Sequence, residues 1–173
     1  MPSARLANPL FGVLARTARG REQLTPKGLQ RWAGAWLAEA DPRSWWIDRE
    51  GGLALMRPQL TLEGTGGERA ALVIRGALVG AAGREGPPAG WRAAPGDADP
   101  DPAALAILYD LLDRDTAAIE AMRGQFALAV WDGRRRRLLL ARDHLGQRAI
   151  FLRTEPDLIA FCSELAPLLR AGN

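Results

Sequence analysis

Along this chain the hydrophobic positions change their period, and that period is the first guide to structure. Pro9-Leu10-Phe11-Gly12-Val13-Leu14 is an apolar run with the length of a short buried strand. The arginine-rich stretch 16–24 that follows has no apolar period and reads as a loop. Thr25-Pro26 is a helix start, because the hydroxyl can accept from free first-turn amides and proline suits the first helical position. Leu29, Trp32, Ala33, Trp36 and Leu37 then recur at helical spacing as far as Asp41-Pro42, where the residue before proline is biased away from helix. The two tryptophans share their stripe with aliphatic residues, so they read as core filling and not as a ligand box.

Trp45-Trp46-Ile47 and Leu53-Ala54-Leu55 predict two short strands around an Asp-to-Gly turn. A further extended run covers 70–79 with Gly76 inside it, marking either a bulge or a close approach to the backbone. Residues 81–101, dense in Gly, Pro, Ala and Asp, predict a long surface loop. After it, Leu105, Leu108, Tyr109 and Leu112 share one helical face, and 116–122 continue as a second short helix. The last third holds the clearest pattern. Phe126 to Trp131, then Asp132-Gly133, then Leu138 to Ala141 form a hairpin, and two more strands at 149–152 and 158–161 meet at Glu155-Pro156-Asp157. These strands are apolar on both faces, so the sheet they form must be covered on both sides.

With 173 residues, 47% of them hydrophobic, the chain is sized for one domain spanning 1–173. Cys162 is the only cysteine and His144 the only histidine, which excludes an intrachain disulfide and a four-ligand zinc site. The net charge of +3 is a slight excess carried almost wholly by arginine, too small to argue for nucleic acid by itself. No stretch approaches the roughly 20 apolar residues of a membrane span, and the chain reads as cytoplasmic. There is no phosphate-binding Gly-rich loop with Lys and Ser/Thr and no Ser-Gly-Gly-x-Asp-Ser run, so no cofactor is expected in this chain.

Three segments carry a family resemblance. Met122-Arg123-Gly124-Gln125-Phe126-Ala127 through Trp131-Asp132, Leu138 to Gly146 with its Ala-Arg-Asp-x-x-Gly turn, and Ala160-Phe161-Cys162-Ser163-Glu164-Leu165 resemble, in order and spacing, the N-terminal glutaminase domain of asparagine synthetases. These are class II glutamine amidotransferases with the Ntn hydrolase fold. The resemblance is dense over about the last 50 residues. It implies an α+β fold, a four-layer αββα sandwich of two antiparallel sheets, in agreement with the doubly covered strands.

In that family the nucleophile is a cysteine directly after the initiator methionine, acting with its own free amine. This sequence has Pro2 there, with Ser3 as the nearest hydroxyl. Cys162 falls where the family places alanine in a buried strand and reads as a small core residue. Met56-Arg57-Pro58 resembles the segment whose arginine holds the substrate carboxylate. Ile74-Arg75-Gly76 resembles the segment that supplies the oxyanion hole, with Gly76 matching its glycine and Arg75 replacing its asparagine. Asp101 resembles the acid that meets the substrate amine. Arg57 and Asp101 are equally well read as relics of that pocket or as ordinary surface ion-pair partners.

The resemblance therefore implies a non-catalytic glutaminase-like domain. Its setting would be an ATP-dependent amide-forming enzyme similar to beta-lactam synthetases and lasso-peptide cyclases, with ATP and Mg in the partner synthetase domain. Arg142, Asp143 and Glu164 are the expected docking residues, or else an internal ion-pair network at the sheet edge. The competing expectation is a binding module in which Arg134, Arg135, Arg136 and Arg137, at the hairpin tip, recognise an acidic partner or nucleic acid. An active enzyme using Pro2 as a base is a third.

Overall fold

The computed structural model describes residues 10–33, 45–78, 86–94 and 101–170. Among these residues, ten strands form two antiparallel sheets of five. Sheet A contains β1 (Phe11–Ala15), β2 (Trp45–Asp48), β3 (Leu53–Met56), β9 (Phe151–Thr154) and β10 (Leu158–Cys162), in the spatial order β2-β3-β1-β10-β9. Sheet B contains β4 (Leu60–Gly64), β5 (Arg69–Leu78), β6 (Trp91–Ala93), β7 (Gly124–Asp132) and β8 (Arg137–Arg142), in the order β6-β4-β5-β7-β8.

Alternation along the strands divides the apolar residues into three layers of core. Phe161, Leu53 and Leu55 of sheet A meet Ala71, Val73, Ala127, Ala129 and Trp131 of sheet B between the sheets. The outer face of sheet A packs Phe11, Val13, Met56 and Ala160 against helices α2 (Pro26–Ala33) and α5 (Leu165–Arg170), through Leu29, Trp32 and Leu168. The outer face of sheet B packs Leu72, Phe126, Leu128 and Val130 under α3 (Pro102–Arg114) and α4 (Thr116–Ala121), through Leu108, Leu111, Leu112 and Ala118. The architecture is thus α+β, two antiparallel sheets stacked between helices. Every residue of β7 from Phe126 to Asp132 is buried, as expected of a strand covered on both faces.

The helix start at Thr25-Pro26 stands, with Thr25 Oγ1 accepting from Gly28 N at 3.1 Å. The helix end at Asp41-Pro42, with Trp36 and Leu37, lies outside the described residues. Two expectations need correction. Within 16–24, Ala18–Gln23 forms a helix, α1, whose first turn is capped by Thr17 Oγ1 accepting from Gly20 N. Six residues with only Gly20 buried give too short a buried stripe for helical periodicity to show. Within the expected loop 81–101, Trp91–Ala93 is strand β6, paired with β4 and fixed by a buried Trp91. Strand β4 itself was not expected, because Leu60 and Leu62 are too few to stand out from the Gly- and Glu-rich turn after them.

Gly76 sits in an unbroken register between Arg75↔Ala127 and Ala77↔Gln125, so it marks no bulge. Close approach is its reason: φ is +107°, and a Cβ would stand 1.9 Å from the Gln125 carbonyl oxygen. No helix among the described residues is long and apolar enough to cross a membrane.

Candidate functional site

The pleat of β5 separates the residues that the sequence places side by side. Ile74, Gly76 and Leu78 face the helical side of sheet B, and Arg75 follows Ala71 and Val73 toward sheet A. On the helical side, Gly76 and Asp101 line one cavity of about 290 Å³ with Gln59, Ile74, Leu78, Ala103, Ala104 and Ile107. Asp101 also caps α3, its Oδ1 accepting from Ala103 N at 3.0 Å. Arg57 is exposed, with φ of +42°, and does not line this cavity. The structure therefore brings Gly76 and Asp101 together and leaves Arg57 and Arg75 apart from them.

Gln59 is the cavity residue that sequence reasoning missed. Its side-chain amide accepts from Ile74 N at 2.8 Å and donates to Ile74 O at 2.6 Å, so it extends the β4 ladder past Leu60 without a further strand residue. The only sequence signal was a polar residue directly ahead of an alternating Leu-x-Leu pair. Beyond Gln59, Gly76 and Leu78 lie on the stretch of β5 for which β4 supplies no partner.

On the other face, charged groups gather at the end of the inter-sheet space. Burial lowers the Arg75 guanidinium below its ordinary range, and Arg148 lowers it further, while Glu164 and Cys162 act in the opposite direction. Arg142 is exposed at the end of β8. Asp143 is only 3% exposed, and its carboxylate accepts from Gln147 N and Arg148 N, each at 3.0 Å. Burial alone would raise this carboxyl group, but the backbone donors prevail and hold it below the usual carboxylate range. Asp143 thus braces the turn from beneath, while Arg142 and Glu164 remain at least partly open to solvent.

Cys162 lies on the helix-facing side of sheet A, fully buried, and burial pushes its thiol up to about 11. Glu164 N approaches its sulfur at 3.3 Å. A thiol held neutral in a core is a poor nucleophile. Pro2 and Ser3 lie outside the described residues. Among the described residues no group of three or more His, Cys, Asp or Glu could hold a metal ion.

The four arginines of the hairpin tip each bind this chain. Arg134 donates to Ala89 O at 2.7 Å and lies over the Trp91 ring. Arg135 donates to Leu112 O, at the end of α3, and to Asp132. Arg136 donates to Glu50 O in the β2–β3 turn, and Arg137 pairs with Asp115 between α3 and α4. The tip is a clamp on three separate segments: the stretch ahead of β6, the β2–β3 turn and the end of α3.

No curated protein matches the chain. Residues 96–170, from ahead of α3 through α5, match the family model described as a glutamine amidotransferase domain, a span of fewer than half of the 173 residues. On a chain folded as two five-stranded antiparallel sheets with flanking helices, that match supports a glutamine amidotransferase-type domain.

Proposed function

We propose that this chain is a non-catalytic, glutaminase-like docking domain of an ATP-dependent amide-forming enzyme of the asparagine synthetase family, of the beta-lactam synthetase or lasso-cyclase kind. The observation that carries this reading is the state of its one cysteine. A thiol nucleophile in this chain would have to be Cys162, and that side chain is sealed in the outer core of sheet A with its thiol raised. Pro2 adds no side-chain nucleophile, and Arg75 stands where the resembled family has its oxyanion-hole asparagine.

In such an enzyme the nitrogen nucleophile is an amine of the substrate, so no ammonia need be released. The synthetase domain would hold ATP and Mg and activate a carboxylate, and this domain would seat it through Arg142 and Glu164. The alternative role at the hairpin tip is disfavoured by the clamp, because guanidinium groups satisfied within the chain have fewer donors left for phosphates.

Two measurements test this reading. The purified chain should release no ammonia from glutamine above the protein-free rate, and Pro2→Cys should not restore release. Turnover by the unaltered chain overturns the non-catalytic assignment, and turnover by Pro2→Cys overturns the placing of Arg75 at the oxyanion position. Arg142→Glu combined with Glu164→Arg should weaken co-purification with the synthetase while shifting the melting temperature little. A large loss of stability with binding unchanged would remove the docking surface.

A further inference from the structure

The hairpin-tip arginines all hold acceptors of this chain, whereas several other described arginines do not. Among the described residues, no acceptor lies within hydrogen-bond or ion-pair distance of the guanidinium groups of Arg75, Arg142 and Arg148. The sheet brings two of them into one row. Arg75 stands opposite Ala127, and Ala127 opposite Arg142, so all three side chains leave the face of sheet B that looks toward sheet A. Ala127 contributes only a methyl group. Two strand spacings place the flanking arginines roughly 10 Å apart at Cα, which leaves room for a tetrahedral anion between two guanidinium forks.

Arg148 enters from the crossing between β8 and β9, close enough to act on Arg75 as a like charge, with its own amide fixed by Asp143. Arg142 lies across Gly146, where a Cβ would stand 3.5 Å from its Cζ. Glu164 acts on Arg75 from the start of α5, and Asp143 has given both oxygens to backbone amides. Three forks from two different strands and a crossing segment therefore outnumber the acceptors that the described residues supply.

We propose that Arg75, Arg142 and Arg148 form a receiving site for the diphosphate group of a small molecule. A carboxylate satisfies one planar fork, whereas a diphosphate presents enough oxygen atoms for bidentate contacts from three directions. The site shares Arg142 with the proposed docking surface, but pyrophosphate binding is measured on this chain alone, so its failure is distinguishable from failure of the docking role.

The test is calorimetric titration of the full chain with inorganic pyrophosphate. Binding should weaken roughly tenfold for Arg75→Gln and for Arg142→Gln, and should be essentially lost in the double variant. Arg136→Gln, at the distant hairpin tip, should leave the affinity unchanged. Arg75→Lys keeps the charge without the fork and serves as the folded control, with weakened but measurable binding expected. Failure of the unaltered chain to bind pyrophosphate overturns the proposal, as does equal affinity in the double variant. Tighter binding of malonate than of pyrophosphate overturns the phosphate assignment.

Discussion

Asp48 joins the two sheets through one buried polar contact. Its Oδ2 accepts from Trp131 Nε1 at 2.7 Å and its Oδ1 accepts from Gly51 N at 2.9 Å, so one carboxylate ties sheet A to sheet B and closes the β2–β3 turn. A buried donor left without an acceptor costs about 1–3 kcal/mol. Asp48→Ala is expected to lower unfolding free energy by that amount, and Asp48→Asn, which keeps an acceptor oxygen, by less. Urea denaturation of both checks this, and equal losses would show that the charge and not the acceptor matters. Gly51→Ala should be comparably damaging, because its Cβ would stand 2.4 Å from Asp48 Oδ2 and 2.5 Å from Trp131 Cζ2. Sequence revealed the turn but not the tie, since the indole lies 83 residues away. Cys162 gives a prediction with a pH sign. Its folded thiol ionises near 11 against an ordinary 9.0, so the unfolded chain releases that proton first and stability falls as pH rises from about 9 to 11. Cys162→Ala should flatten this alkaline slope, measured by denaturant titration at several pH values.

At the scale of elements, the β7–β8 hairpin joins parts of the chain that are distant in sequence. Arg134→Ala should speed amide exchange around Trp91 with little change at the β7–β8 pairs, because it frees the segment holding β6 and leaves the turn held by Asp132, which accepts from Arg134 N and Arg135 N. Uniform acceleration over both regions would contradict a local clamp. Four consecutive arginines read as a charge focus in sequence because, Asp132 apart, their acceptors are carbonyls and carboxylates scattered from Glu50 to Asp115, and nothing local marks those as partners. The elements that were legible carry a long period: α3 with its apolar face, and β7 with β8 around Asp132-Gly133. Those that were not are held from outside. Helix α1 leans on Gly20 packed against the Asp157 carbonyl, and β6 exists because β4 and Arg134 hold Trp91 in place.

Across the whole molecule, strands apolar on both faces sufficed to imply sheets stacked between helices, since such strands have no other way to stay dry. The candidate site was less legible, because its geometry depends on pleat and register. Arg75 and Gly76 are neighbours in sequence and open onto opposite sides of sheet B, and Arg75 and Arg142 are 67 positions apart in numbering and share a row. The order of sheet A has a further consequence for how the protein is made. Strand β1 lies between β3 and β10, so it acquires one neighbour early and the other only when 158–162 have emerged. Until then Phe11, Val13 and an open hydrogen-bonding edge wait for their covering. Nascent chains halted before Leu158 should be degraded by added protease far faster than chains that include β10, and the step in resistance should come at that strand and not at the completion of sheet B. The last of the described strands is what lets β1 finish folding.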